Sequence, residues 1–257
     1  MAIYEGDHSI TFGDGTLIQQ QFVGKNTWTD WHLIPATRPT PAMPGFNTKY
    51  VEIPGRDGTI DLSEFLVKRP VYGDRSGSFQ FYVDHEHYNP IETWVSVYHD
   101  IAAFLHGKHM KMCLSDDPLW YYEGRFSLNE FSPDAAFSSI TINYQVQPFK
   151  YKIYTSGDTD ILWDPFNFET DYDYSILINR IIPRGQSFSF TIMTDSVPVD
   201  VYIILLSGSG IGSLNGNFGK TLNQRTYLGQ THSGLNTVTL TASTTMAIAP
   251  SFREASL

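Results

Sequence analysis

Apolar and polar residues alternate with a period of two along much of this chain. Such alternation predicts β-strands that bury one face, because successive side chains of a strand point to opposite sides. Gly and Pro residues separate the alternating segments, as expected for strands joined by turns. The pattern therefore predicts a mainly β protein. The clearest alternating segments are Phe79/Phe81, Ile140/Ile142/Tyr144, Tyr174/Ile176/Ile178, Phe188/Phe190/Ile192 and Val238/Leu240/Ala242.

The stretch from Tyr50 to Phe81 contains two alternating runs on either side of a polar connection. Val51 and Ile53 lie in the first run, which predicts a half-buried strand that ends at the turn-forming Pro-Gly and Asp-Gly pairs of residues 54–58. The second run, with Phe79 and Phe81, predicts a returning strand whose aromatic face points into a core. We therefore expect these two strands to form one unit with a long, structured, charged connection.

One segment has helical periodicity instead. The sequence predicts a helix from Pro90 to His106, with Asn89 as its N-cap and Gly107 as its C-terminal stop. With the strands around it, this segment predicts an α+β domain over residues 1–150, in which one helix packs on an antiparallel sheet. The apolar stripe of the helix consists of Trp94, Val97, Ile101, Phe104 and Leu105.

Residues 151–257 are predicted to form a second domain, a β-sandwich. The strand pattern breaks at Gln147–Tyr151, where we place the boundary, and no helical periodicity follows. Val201 to Leu206 is almost continuously apolar, which predicts a central strand buried on both faces. The Gly/Ser/Asn-rich segment from Ser207 to Gly219 is predicted to be a loop.

The composition excludes several classes of protein. A formal net charge of −10 without a basic cluster argues against sequence-specific nucleic-acid binding, which needs clustered Lys and Arg. Cys113 is the only cysteine, so no intrachain disulfide forms. The longest aliphatic run, Ile203 to Leu206, is too short to insert into a membrane, and the first residues do not resemble an export signal.

No motif predicts catalysis, a metal site or a cofactor site. Gly208-x-Gly210-x-x-Ser213 follows an apolar strand but precedes no helix that would hold a phosphate. Asp158 to Glu169 has the length of an EF-hand loop but has Trp163 where that loop needs glycine. His85 and His87 would share one face of a strand, yet two ligands do not make a zinc site. Cys113 lies in an apolar strand, which predicts an inert thiol.

Five segments of the first 152 residues stand out together by their order and spacing. They are IPGRDGTIDLSEFL at Ile53–Leu66, PVYGDR at Pro70–Arg75, FLHGK at Phe104–Lys108, DDPLWYYEGRF at Asp116–Phe126 and ITINYQVQPFKY at Ile140–Tyr151. In this order and spacing, over roughly residues 20–152, the chain resembles the distal tail (Dit) proteins of siphophages. The resemblance is clearest in the N-terminal domain.

This resemblance implies a non-enzymatic virion protein at the tip of a phage tail, assembled in the host cytoplasm. It implies a ring, typically a hexamer, whose N-terminal domains join the tail tube protein to the baseplate or tail-associated protein. A galectin-like or jelly-roll sandwich would lie outside the ring, where a receptor-binding protein is a further candidate partner. An acidic lumen would let DNA pass without sticking. The candidate interface residues are Arg56, Asp57, Asp61 and Arg75.

The alternative hypothesis is a carbohydrate-binding baseplate module that contacts the host surface through residues 152–257. Aromatic side chains stack on sugar rings, although core packing is their commoner use. The candidate sugar-contacting residues are Trp163, Tyr172 and Tyr174.

Overall fold

The structure, a computed structural model, divides the chain into two compact units, Met1–Lys150 and Tyr151–Leu257. The fold is mainly β with one helix among the described residues, as predicted. The described residues are 8–18, 21–83, 91–129, 138–153, 180–194 and 197–257.

The first unit is built on an antiparallel sheet of seven strands in the order β4-β1-β9-β10-β11-β8-β5. Two further pairs, β2 with β3 and β6 with β7, form small separate hairpins. The elements are β1 (Ile10–Gly13), β2 (Leu17–Ile18), β3 (Gln21–Phe22), β4 (Lys25–Asn26), β5 (Leu33–Pro35), β6 (Tyr50–Glu52), β7 (Thr59–Asp61), β8 (Arg75–Val83), α1 (Ile91–Leu105), β9 (His109–Leu114), β10 (Asp117–Leu128) and β11 (Ser139–Val146).

The core of this unit lies between one face of the sheet and α1. Phe79 and Phe81 of β8 are buried, and so are the alternating residues of the neighbouring β11, as predicted. Ile101 and Leu105 of α1 belong to the same cluster. Each large apolar side chain buried in this way stabilises the fold by about 1.5–3 kcal/mol.

The helix α1 confirms the prediction within the described residues. It ends at Leu105, and Gly107 follows with φ 72°, the left-handed conformation that favours glycine at a helix C-terminus. The backbone N–H of Gly107 then donates to the carbonyl of Phe126 at 2.8 Å, which directs the chain into the sheet. The predicted N-cap at Asn89 and Pro90 lies outside the described residues.

The predicted pairing of the Tyr50 strand is wrong. β6 pairs with β7, in the register Tyr50↔Asp61 and Glu52↔Thr59, and not with β8. Val51 and Ile53 are exposed instead of half-buried. β8 pairs with β11 and β5 in the main sheet, so the β6–β7 hairpin has no core of its own.

The second unit contains two antiparallel four-stranded sheets, in the orders β13-β20-β15-β18 and β14-β19-β16-β17. The inward residues of both sheets form one buried cluster, which confirms the predicted β-sandwich. The eight strands of these sheets are β13 (Arg180–Ile182), β14 (Ser187–Thr194), β15 (Asp200–Ser207), β16 (Gly210–Leu214), β17 (Lys220–Thr221), β18 (Arg225–Gln230), β19 (Gly234–Ala242) and β20 (Met246–Ser251). Two short strands outside these sheets, β12 (Lys150–Lys152) and β21 (Ala255–Ser256), pair with each other.

Two predictions for this unit are wrong. β15 is central in its sheet, but it is buried on one face only, through Val201 and Ile203, while Leu206 is 51% exposed. The segment predicted as a loop contains the strand β16. Its glycines allow close packing, because a Cβ at Gly210 would lie 2.5 Å from the sulfur of Met246.

Asn236 holds three chain segments together at one end of the sandwich. Its Nδ2 donates to Thr194 Oγ1 at 3.1 Å and to the carbonyls of His232 at 2.7 Å and Gly234 at 3.0 Å. Its Oδ1 accepts from the backbone N–H of His232 and from Nδ2 of Asn215, each at 2.8 Å. The side chain is thus satisfied although it is 1% exposed, as buried polar groups require.

Candidate interaction surface

Residues 46–72, called the arm below, leave the main sheet of the first unit as a long two-legged loop. Its base is closed by the bridge between Phe46 and Tyr72 and by the backbone bond from Asn47 N–H to the carbonyl of Val71 at 2.7 Å. Directly outside the arm, Gly73 N–H donates to the carbonyl of Gly45 at 2.7 Å. The two legs therefore start from adjacent, hydrogen-bonded positions.

The tip of the arm is the hairpin of β6 and β7. Gly55 and Gly58 have φ of 83° and 76°, the left-handed conformation that favours glycine in turns. The backbone N–H of Arg56 donates to the carbonyl of Ile53 at 3.1 Å. Glycine is needed here for its backbone conformation and not for space, since a Cβ at either glycine would meet nothing within 4 Å.

The arm carries a large amount of exposed apolar surface. No residue from 46 to 72 is buried, although the whole segment is described. Phe65 is 74% and Leu66 90% exposed, in a turn after β7. Contiguous apolar surface of this kind marks interaction sites in soluble proteins. The exposed large apolar side chains of the arm are Phe46, Tyr50, Val51, Ile53, Leu62, Phe65, Leu66 and Val67.

A second turn, after β7, is held by Asp61. The carboxylate of Asp61 accepts from the hydroxyl and from the backbone N–H of Ser63, and these hydrogen bonds lower its pKa. The same Ser63 hydroxyl oxygen accepts from the backbone N–H of Lys49 on the other leg at 2.8 Å. Asp61 thus orders the arm from within.

Arg75, the first residue of β8, anchors the arm at its base. Its Nε donates to the carbonyl of Pro148 at 2.7 Å, and its Nη1 donates to the carbonyl of Ala42, just before the arm, at 3.1 Å. The guanidinium lies over the ring of Tyr122, 5.4 Å from its centroid. The side chain is 3% exposed, and burial lowers the pKa of Arg75.

The four predicted interface residues therefore have different positions. Arg56 and Asp57 are exposed at the tip of the arm, where another molecule can reach them. Asp61 and Arg75 make contacts within the chain, the first inside the arm and the second at its base. The predicted sugar contacts Trp163, Tyr172 and Tyr174 lie outside the described residues, as do His85, His87 and the segment from Asp158 to Glu169.

The exposed apolar residues of the arm form a surface that the sequence pattern did not predict. Phe65, Leu66 and Val67 form an apolar triplet inside what we predicted to be a charged connection. The three apolar residues are consecutive, whereas a half-buried strand alternates apolar with polar residues. This run could therefore have indicated an exposed apolar surface. Exposed apolar runs of this length are unusual unless they serve a function.

Within the residues that the structure describes, no group of three or more His, Cys, Asp or Glu side chains is placed to hold a metal ion. The glycines of the Gly208-x-Gly210-x-x-Ser213 motif lead into strand β16 and not into a helix N-terminus. No helix in the described part of the chain is both long and apolar enough to span a bilayer.

Cys113 is predicted to be unreactive in the folded protein. It is buried in β9, and this burial, with the nearby charge of Asp117, raises the pKa of the thiol to about 12. Because the thiolate is the reactive species, the native chain at pH 8 should not react with Ellman's reagent. The chain unfolded in guanidinium should release one equivalent of chromophore. Rapid stoichiometric reaction of the native chain would contradict this expectation.

Neither a protein-family model nor a curated protein matches the sequence. A solved structure does match: that of the SPP1 Dit (gp 19.1) protein, described as a paradigm of the hub adsorption apparatus in phages that infect Gram-positive bacteria. The match covers 96% of this chain and 99% of that chain, with a TM-score of 0.59 and 14% sequence identity. The chain therefore has the fold of the SPP1 Dit protein, which confirms at the level of the fold the resemblance that its sequence indicates.

Proposed function

We propose that the chain is a structural, non-enzymatic subunit of a phage tail, a distal tail hub that assembles into a closed ring. The observation that carries this proposal is the arm, which exposes eight large apolar side chains and buries none of its residues. The match to a hub protein over nearly the whole chain supports the same function. The ring would be a hexamer.

The arm suits a ring because it extends from a single site of the first unit and can bind a different surface on the next copy. A closed ring with more than two copies needs a head-to-tail interface, in which an element of one copy binds a different surface of the next. The arm is such an element, since it extends from one site of the first unit and has no core of its own. Burying each of its large apolar side chains against a neighbour would contribute about 1.5–3 kcal/mol.

The charged tip of the arm would orient this interface. Arg56 and Asp57 are exposed beside each other, so that each would pair with an opposite charge on the neighbouring copy. Exposed pairs of this kind add at most about 1 kcal/mol each. They would therefore set the register of the ring, while the apolar side chains supply most of the affinity.

In this assembly the chain would act at the tail tip of the virion, after assembly in the host cytoplasm. Its first unit would contact the tail tube protein on one side and the tail-associated or baseplate hub protein on the other. The net charge of −10 would keep the lumen from retaining DNA in transit. None of these roles needs a cofactor or a metal ion.

The solution mass of the purified chain tests the ring. We expect light scattering coupled to size exclusion to give a discrete species near six times the 29.1 kDa chain mass, or stacks of it. Negative-stain images should show closed rings with a central opening. A monomer at every concentration up to about 100 μM would contradict the proposal, since a virion ring needs an interface tighter than that.

A further inference from the structure

The outer face of the sheet that contains β15 carries a row of aliphatic and aromatic side chains. We call it the tyrosine face and define it by Tyr202, Ile204, Leu206, Arg225 and Tyr227, which point away from the sandwich core. In register, Tyr202 is opposite Tyr227, with ring centroids 5.2 Å apart, and Ile204 is opposite Arg225. At the far edge of the same sheet, Ile181 of β13 is 66% exposed.

The opposite sheet of the same sandwich provides an internal comparison. Its outer face presents hydroxyl groups, and neighbouring strands exchange hydrogen bonds there, such as Ser187 Oγ with Thr241 Oγ1 at 3.0 Å and Ser189 Oγ with Thr239 Oγ1 at 3.1 Å. A sandwich in water normally has polar residues on both outer faces. The hydroxyl face follows this rule along most of its strands, with exposed apolar side chains at Met193, Ile211 and Leu235. The tyrosine face differs because its described strands have no such hydroxyl pairs and place Tyr202, Ile204 and Leu206 in succession along one central strand.

The charges around the tyrosine face are mostly positive. The guanidinium of Arg225 lies 4.4 Å from the centroid of the Tyr202 ring, and Lys220 Nζ lies 5.1 Å from that of Tyr227. One carboxylate, that of Asp200, accepts a hydrogen bond from the Tyr227 hydroxyl at 3.1 Å. The face therefore favours an acidic partner.

The shape of the face limits the size of that partner. On β20, next to β15, the outward residues are Ala247, Ala249 and Ser251, and Ser251 is opposite Tyr202. These side chains are shorter than those of β15 beside them, so the face is lower along β20. Four strands about 4.8 Å apart and about 20 Å long offer on the order of 350 Å². A standard interface between globular proteins needs about 800 Å² from each partner.

We propose that the tyrosine face binds an extended segment of another protein that carries carboxylates and apolar side chains. Its carboxylates would pair with Arg225 and Lys220, and its apolar side chains would pack on Tyr202, Ile204 and Leu206. Exposed aliphatic side chains favour a peptide over a saccharide, whose rings need aromatic platforms and polar groups but no aliphatic contacts. The inference concerns the second unit and does not depend on ring formation.

The test uses the full-length chain as bait for a displayed library of random 12-residue peptides. We expect the enriched peptides to combine Asp or Glu with Leu, Ile, Val or Phe. A synthetic peptide of the enriched sequence should lose affinity about ten-fold or more for Arg225→Glu, which corresponds to at least about 1.4 kcal/mol. Its affinity should also fall as salt is raised, because the contacts of its carboxylates are screened.

Three controls make the outcome decisive. Arg184→Glu, an equal charge change at an exposed turn of the same unit, should leave the affinity unchanged. Tyr202→Ser should weaken binding by the same factor at low and high salt. The arm variant with Phe65 and Leu66 replaced by aspartate should bind the peptide as the native chain does.

A library that yields no enriched peptide, or peptides that bind Arg225→Glu equally well, would overturn the proposal. Arg225-dependent binding of tetragalacturonate without any peptide binding would overturn it in favour of an acidic saccharide.

Discussion

Replacing Phe65 and Leu66 together by aspartate is expected to abolish ring formation while each copy stays folded. The two side chains are 74% and 90% exposed, so the single chain loses little when they change. In the proposed ring both would be buried against a neighbour, where the loss of two large apolar contacts weakens association by about 3–6 kcal/mol. The dissociation constant of each interface would then rise by about two to four orders of magnitude.

Light scattering on the double variant checks this expectation, with thermal unfolding as the test of folding. The matched control is Phe218→Asp with Leu235→Asp, which changes one phenylalanine and one leucine of the second unit that are 99% and 69% exposed. The control should keep the mass of the native chain. Rings that persist in the arm variant would show that the arm does not hold them together.

Replacing Asn236 by leucine is expected to destabilise the second unit by about 3–5 kcal/mol. The change removes five hydrogen bonds at a position that is 1% exposed. It leaves the buried hydroxyl of Thr194 without the donor that Asn236 supplies, and a buried polar group left unpaired costs about 1–3 kcal/mol. Leucine has the branched shape of asparagine but bulkier methyl groups, so overpacking of the site adds to the loss of the hydrogen bonds.

Urea unfolding followed by circular dichroism measures this loss as a lower midpoint of the transition that belongs to the second unit. The matched control is Thr241→Ala on the same strand, whose hydroxyl makes a hydrogen bond to Ser187 on the exposed face. That change should cost less than about 0.5 kcal/mol. An Asn236→Leu midpoint equal to that of the native chain would show that water replaces the network at no cost.

The sequence predicts well those elements whose apolar residues are covered by their own chain. The alternation in β8 and β11 and the stripe of α1 correspond to side chains that the sheet and the helix bury together. The sandwich of the second unit follows from the same pattern. In these elements the residues that the periodicity places on the apolar face are the residues that the core buries.

Both wrong burial predictions concern apolar residues that the chain itself leaves exposed. Val51 and Ile53 alternate as in a half-buried strand, and the run from Val201 to Leu206 has the composition of a strand buried on both faces. An apolar pattern indicates that a side chain becomes buried. It does not indicate whether the same chain or another molecule buries it. The arm and the tyrosine face are the two places where the pattern and the single chain disagree, and they are the two surfaces proposed here to bind other molecules.

The positions of Asp61 and Arg75 could not be predicted for a different reason. Both were grouped with Arg56 and Asp57 because they lie in the same charged motifs. Which charged residue turns inward depends on carbonyls that the chain brings together from distant positions, such as those of Ala42 and Pro148 for Arg75. A linear motif contains no trace of such long-range partners.

The anchoring of the arm has a consequence for its behaviour in acid. Arg75 is held by two backbone carbonyls and the face of an aromatic ring, none of which takes up a proton as the pH falls. The guanidinium itself stays charged throughout the acidic range. In acid the arm would therefore stay fixed at its root, while the turn held by Asp61 loosens once that carboxylate, whose pKa is lowered by its hydrogen bonds to Ser63, is protonated.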